Sequence, residues 1–168
     1  MLAKLESRIN CLNEIVGRFV SWFVIAMAVL TFFNVVMRYG FNFGLIAVQE
    51  AVVYMHAFVF MLGIAYAYKQ NAHVRVDIFY ENFSAMKKAW VDLLGTLFLL
   101  TPFCIFLIHT SWEYAYDAWR LLEGSREAGG LPLVFLLKTL VPLMPTLLLL
   151  QGISTICNSL LIINSEKT

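Results

Sequence analysis

Residues 69–83 read KQNAHVRVDIFYENF, and within them His73, Asp77 and Glu81 stand four residues apart. On a helix that spacing stacks three side chains on one face, and an imidazole with two carboxylates is a donor set that a divalent cation accepts. Arg75, Lys87 and Lys88 crowd the same segment with positive charge. They favour a plainer reading, in which the stack is the polar side of a surface helix. The remaining candidates are isolated. Glu50 opens an uncharged stretch, and an intramembrane carboxylate points by default to a function such as proton coupling. At a helix N-terminus it also complements the macrodipole, with Arg38 or Lys138 as partners. Lys138 is placed to hold an anion, to snorkel to an interface, or to meet the carboxylate of a partner. His56 and His109 are of the type that clamps b-type haem between facing helices. His56 lies about 9 Å beyond Glu50 at 1.5 Å per residue, whereas His109 closes its own run, so the two differ in depth. These residues do not make a catalytic set, and the chain reads as a non-enzyme.

The elements that must carry these residues follow from charge distribution. Hydrophobic residues make up 61% of the chain and charged ones 14%, against about 25% charged in a soluble domain; mean hydropathy is +0.77. The depletion is local, because 19–37, 51–68, 93–112 and 139–165 carry no charge at all. Roughly 20 apolar residues cross the hydrocarbon core as a helix. The expectation is an all-α integral membrane domain over 1–168, with spans near 19–37, 50–68, 92–110 and 136–163. The first run continues well past Ala26-Met27-Ala28, longer than a secretory h-region needs, and is read as an uncleaved anchor. Cys11, Cys104 and Cys157 are odd in number and widely spaced, which argues against a disulfide framework. A net charge of +1 without a basic patch gives no reason to expect nucleic acid.

Four spans put both termini on one side, and Lys/Arg counting selects it. The N-terminal segment, the 69–92 segment and the tail together hold eight basic residues, and the opposite side holds three, Arg38, Arg120 and Arg126. Both termini are therefore expected in the cytoplasm. Residues 1–18 read as an amphipathic lead-in with Leu5, Ile9, Leu12 and Val16 on one face. The 70–90 segment reads as a cytoplasmic interfacial helix, since Val74, Ile78, Phe79, Phe83, Met86 and Trp90 cluster on one side of a helical wheel. Pro102 is expected to kink span three, and Pro142 and Pro145 to bend span four. The periplasmic connection 111–132, SWEYAYDAWRLLEGSREAGGLP, is acidic and aromatic. Its first part is expected to continue as a helix with Trp112, Tyr116 and Trp119 together, to end at Gly129-Gly130, and to lead through Pro132 into span four.

The order of these pieces resembles a known family. NVVMRYGFN at 34–42, AVQE at 47–50, LGIAYAYKQNAHVRVDIFY at 62–80, KAWVDLLG at 88–95, SREAGGLPLVFLLKTLVPL at 125–143 and LLLLQGIS at 147–154 are similar to the small membrane subunit of tripartite ATP-independent periplasmic (TRAP) transporters. The closest likeness is to the branch labelled mannitol/chloroaromatic-type, a label that defines no substrate. Many relatives carry Trp where this chain has Ala47, a departure in keeping with that branch.

The resemblance implies a scaffold subunit in the bacterial inner membrane. Its partners would be a large elevator-type transport subunit, a periplasmic substrate-binding protein and membrane lipids. Sodium coupling and organic-anion transport would reside in the large subunit, and no cofactor or metal is expected here. Arg38, Tyr39, Glu50, His73, Arg75, Asp77, Gly129, Gly130, Pro132 and Lys138 fall on the matching motifs and are candidates for structural or subunit-interface roles. The residues themselves support a structural partner, because a transport path needs broken helices and ion ligands near the midplane. Trp112, Asp117, Trp119 and Arg120 suit a transient docking interface for the binding protein. Two alternatives remain: a membrane subunit of a haem or quinone electron-transfer complex, and a small four-span exporter.

Overall fold

The computed structural model describes residues 2–73, 80 and 82–165. Among them the helices are α1 (Leu2–Gly40), α2 (Ile46–Lys69), α3 (Ala85–Gly95), α4 (Thr101–Arg120) and α5 (Val134–Ser165), with a π-helical turn at Thr96–Leu100 joining α3 to α4. Apolar sequence in lipid has no water to satisfy its backbone, so each span closes its own hydrogen bonds as a helix. Four helices, α1, α2, the α3–α4 unit and α5, are long and apolar enough to cross a membrane.

In place of the expected separate lead-in over 1–18, residues 2–18 are part of α1. α1 runs unbroken over 39 residues, about 58 Å at the α-helical rise, so its first turns project beyond a hydrocarbon core of about 30 Å. Its buried stripe is Ile9, Asn13, Gly17 and Val20, in place of the expected Leu5-Ile9-Leu12-Val16 face; Leu5 and Leu12 are exposed. The expected 70–90 helix is also redrawn where it can be seen. Residues 70–73 are turn and bend, and Ser84 caps α3 by accepting the Lys87 N–H at 3.4 Å. α3 then runs directly into span three, so 85–90 belong to that span. Residues 74–79 and 81 lie outside the described residues.

α5 is the core helix. Leu140, Pro142, Pro145, Leu147, Leu148, Gln151, Gly152, Ser154 and Cys157 are all buried, and α1, α2, α3 and α4 each pack against it. Asn10 meets Ser154 and Asn13 meets Gln151, so α1 and α5 run antiparallel and the two termini lie at the same end of the bundle. Pro102 sits immediately after the π turn. Its missing N–H is absorbed there, because the Thr101 N–H bonds the Thr96 carbonyl and Thr101 Oγ1 donates to the same oxygen at 2.9 Å. Gly152 allows this turn to approach α5: a Cβ there would lie 2.9 Å from Leu100 Cδ2 and 3.1 Å from Thr96 Cγ2.

Candidate functional site

At the end of the bundle away from the termini, α4 stops at Arg120, well short of the expected Gly129-Gly130 terminus. Leu122 adopts φ +46° just beyond it. Residues 121–133 fold back as a loop closed by the Ser125 N–H donating to the Leu131 carbonyl at 3.0 Å. Glu50, in the first turns of α2, holds this loop. One carboxylate oxygen accepts the Leu131 N–H at 2.6 Å and the other accepts the Ser125 hydroxyl. The glycines have separate reasons to be there. Gly129 has φ +80°, a left-handed conformation that costs an L side chain about 1–2 kcal/mol. Gly130 lies against Glu50 and Ser125, and a Cβ on it would come within 2.7 Å of Glu50 Oε2. Pro132 is exposed two residues before α5, and its Cα lies 3.3 Å from where a Cβ on Gly124 would sit.

Neither Arg38 nor Lys138 pairs with Glu50, in contrast to the expectation from sequence. A carboxylate fully engaged by N–H and O–H donors needs no cation beside it. Lys138 bonds Glu123 within the chain and places its ammonium 4.1 Å from the centre of the Tyr114 ring. Arg38 and Tyr39 are exposed and line a shallow groove with Asn42, Gly44, Ile46 and Gln49.

The aromatic residues after His109 divide into two groups. Trp112 and Tyr116 are 64% and 61% exposed, and Asp117 and Arg120 are exposed beside them. Trp119 is 47% exposed and leans on α5: its indole N–H donates to Thr139 Oγ1 at 2.7 Å and its ring stands edge-on to Phe135 at 4.6 Å. Its indole N–H and one ring edge serve the α4–α5 contact, while the rest of the side chain stays exposed.

At the terminal end, His73 contacts the Ile64 carbonyl at 3.3 Å and tilts against Tyr68 at 6.0 Å. Arg75, Asp77 and Glu81 fall outside the described residues, so the stacked triad is not part of this description. Among the described residues no group of three His, Cys, Asp or Glu side chains is placed to hold a metal ion. His56 and His109 are both exposed, on α2 and α4. Glu14 joins α1 to the end of α2, accepting from Lys69 at 2.5 Å and from Arg18 at 2.9 Å.

A polar cluster inside the bundle escaped the sequence reading. The Asn13 amide donates to Gln151 at 2.7 Å, and the Gln151 amide donates to Asn10 at 3.0 Å. Asn10 also accepts from Ser154 at 2.9 Å. Asn13 Oδ1 is buried without a partner in the described structure. The signal was present as two i, i+3 pairs, Asn10/Asn13 and Gln151/Ser154, since that spacing puts both members of a pair on one helix face. Uncharged amides drew no attention in a search for titratable groups. The cluster borders a cavity of about 450 Å³ at the terminal end, which also meets Lys69, His73 and Asp92. Its chemistry is hydrogen bonding between helices.

The geometry is thus one of helix-to-helix fastening: a pinned loop at one end, an ion pair and an amide network at the other. Comparison with known proteins agrees with a membrane component of this kind. Residues 27–161 match the family described as tripartite ATP-independent periplasmic transporters, DctQ component. The chain is 31% identical over 109 residues to the C4-dicarboxylate TRAP transporter small permease protein DctQ of Vibrio cholerae, covering 64% of this chain and 47% of that protein. It is 31% identical over 86 residues to a TRAP transporter small permease protein of Haemophilus influenzae, covering 51% of this chain and 53% of that one. The chain therefore spans about half the length of the curated relatives it matches. No solved structure matches it. With four membrane-length helices among the described residues and a family match over most of its length, the chain belongs to the DctQ family of TRAP transporter components.

Proposed function

We propose that the chain is the scaffold subunit of a sodium-driven, binding-protein-dependent uptake system for organic anions in the bacterial inner membrane. It supports a large elevator-type subunit that carries both substrate and sodium. The observation that carries this reading is helix continuity. Among the described residues the spans run without a midplane break except for the π turn at Thr96–Leu100, and substrate-carrying transporters build their sites from discontinuous helices. Asn10, Asn13, Gln151 and Ser154 bond one another between α1 and α5, a fastening of helices. Broad apolar faces on α1 and α4 are left outward, as suits a subunit held in lipid and against a larger partner. The Vibrio cholerae relative carries C4-dicarboxylate in its name, and a small organic anion is the substrate class proposed here.

The terminal end faces the cytoplasm in this reading, by the Lys/Arg excess there. The loop 121–133 and the exposed Trp112, Tyr116, Asp117 and Arg120 then face the periplasm, where a soluble binding protein docks. Co-purification from native membranes tests the scaffold role: a larger multi-span protein should accompany this chain. If the chain purifies alone and transports alone, the reading is wrong. For docking, Trp112→Ala with Asp117→Asn should lower uptake while the membrane complex still assembles. Unchanged uptake would remove these residues from the docking surface.

A further inference from the structure

α2 turns a single narrow seam outward. Gln49, Val53, His56 and Phe60 are exposed along it, with Val53 and Phe60 at 59% and 69%. Their steps of four, three and four residues make one continuous line on a helix, and the other residues between Ala51 and Tyr68 are intermediate or buried. His56 stands in the middle of this line. It is about 9 Å along the helix from Glu50 and about 20 Å from Lys69 at 1.5 Å per residue, which puts it inside the hydrocarbon region on both counts. Its ring stacks on Phe60 at 6.5 Å and makes no hydrogen bond among the described residues. Lipid tails offer an imidazole N–H no acceptor, and ionisable side chains within spans almost always face protein or a cavity.

The other outward faces differ in kind. α1 shows Phe19, Val29 and Phe32, and the third span shows Phe98, Leu99 and Phe106; hydrocarbon covers these at no cost. His109 is exposed as well, but it stands four residues, about 6 Å, from Glu113 at the end of its uncharged run, so His56 is the deeper of the two imidazoles. Beside the outer end of the seam a groove of about 540 Å³ opens between α2, α4 and α5, bordered by Gln49, Val53, Tyr54 and Tyr114. It gives the same face a concave edge.

We propose that the Gln49–Val53–His56–Phe60 seam is where a transmembrane helix of the large transport subunit packs, presenting a hydrogen-bond acceptor, a carboxylate or hydroxyl, to the His56 ring. This rests on the scaffold reading above and names the face that serves it.

The test uses the full complex in native membranes. A photo-crosslinking benzoylphenylalanine is placed singly at Val53 or Phe60, with Phe98 and Phe106 as comparison positions. The expected result is a crosslink to the large subunit from 53 and 60 and none from 98 and 106. Crosslinks from 98 or 106 alone would overturn the seam while leaving the scaffold reading intact. A crosslinked dimer of this chain would also overturn it, by assigning the seam to self-association. Loss of co-purification for the unaltered chain would instead remove the scaffold reading itself. His56→Leu should lower the co-purified large subunit by roughly three- to fifteenfold, with the chain's own membrane yield unchanged, and His56→Gln should restore most of it. Full retention with leucine would show that His56 has no part in the contact.

Discussion

Glu50 accepts the backbone N–H of Leu131 across 81 residues of chain, and this bond joins the start of the second span to the loop that precedes the fourth. It has the form of a charge-assisted hydrogen bond and holds a loop that has no regular structure of its own. Glu50→Ala is expected to destabilise this end by about 1–3 kcal/mol, the range for leaving buried donors unsatisfied. Glu50→Gln, which keeps one acceptor oxygen, should cost less. Amide hydrogen exchange at Leu131 measures it directly: faster exchange in the alanine variant with little change in α5 is the expected pattern.

The two neighbouring glycines should fail differently. Gly130→Ala places a Cβ against Ser125 and Glu50, so it should disturb the Glu50 bonds and speed exchange at Leu131 as Glu50→Ala does. Gly129→Ala meets no atom within 4 Å and should cost only its left-handed backbone, about 1–2 kcal/mol, with Gly129→Asn milder because Asn tolerates that conformation. Thermal unfolding of the three variants in detergent ranks them.

The amide network predicts non-additivity. Gln151→Leu leaves Asn10 and Asn13 facing a side chain that cannot bond them, and should lower stability by on the order of 1 kcal/mol. Asn13→Leu also removes the orphaned Oδ1, which offsets part of its own cost. The double variant should therefore be less damaging than the two single effects added. A double-mutant cycle by thermal unfolding reads the coupling, and simple additivity would mean that the Asn13–Gln151 bond adds nothing to the folded bundle.

α1 and α2 approach closely where Gly17 meets Tyr66. A Cβ on Gly17 would lie 2.6 Å from Tyr66 Cδ2, so Gly17→Ala must push the ring or the helix aside, at a typical overpacking cost of about 1–3 kcal/mol. Tyr66→Ala alone should also destabilise, by leaving a void. Combined with Gly17→Ala it should recover part of the loss, since the new methyl enters the space the ring vacated. Absence of any recovery would mean that the helices have already moved apart in the single variant.

Much of the fold was legible because a membrane imposes length and charge on sequence. The uncharged runs located four spans, and Pro102, Glu50 and the Gly129-Gly130 pair were recognised as special positions without knowledge of their contacts. Helix ends were less legible. α4 stops at Arg120 although the sequence continues through Leu121 and Leu122 without a glycine or proline, because the loop's bonds to Glu50 outweigh local helix propensity. α1 includes the amphipathic residues 2–18 because Glu14 and the Asn10–Asn13 pair find partners on α2 and α5.

What the sequence determined by itself was the class of molecule, since apolar length and the absence of charge admit only spanning helices in lipid, whatever their neighbours. Which side chains meet was decided by tertiary structure alone. Glu50 had two cations as candidates, Arg38 and Lys138, and took a backbone amide and a serine instead, and Trp119 found Thr139 as the acceptor for its indole N–H. Hydrogen bonds depend on distance and angle, and those are set by how the helices pack around α5, which no local spacing encodes.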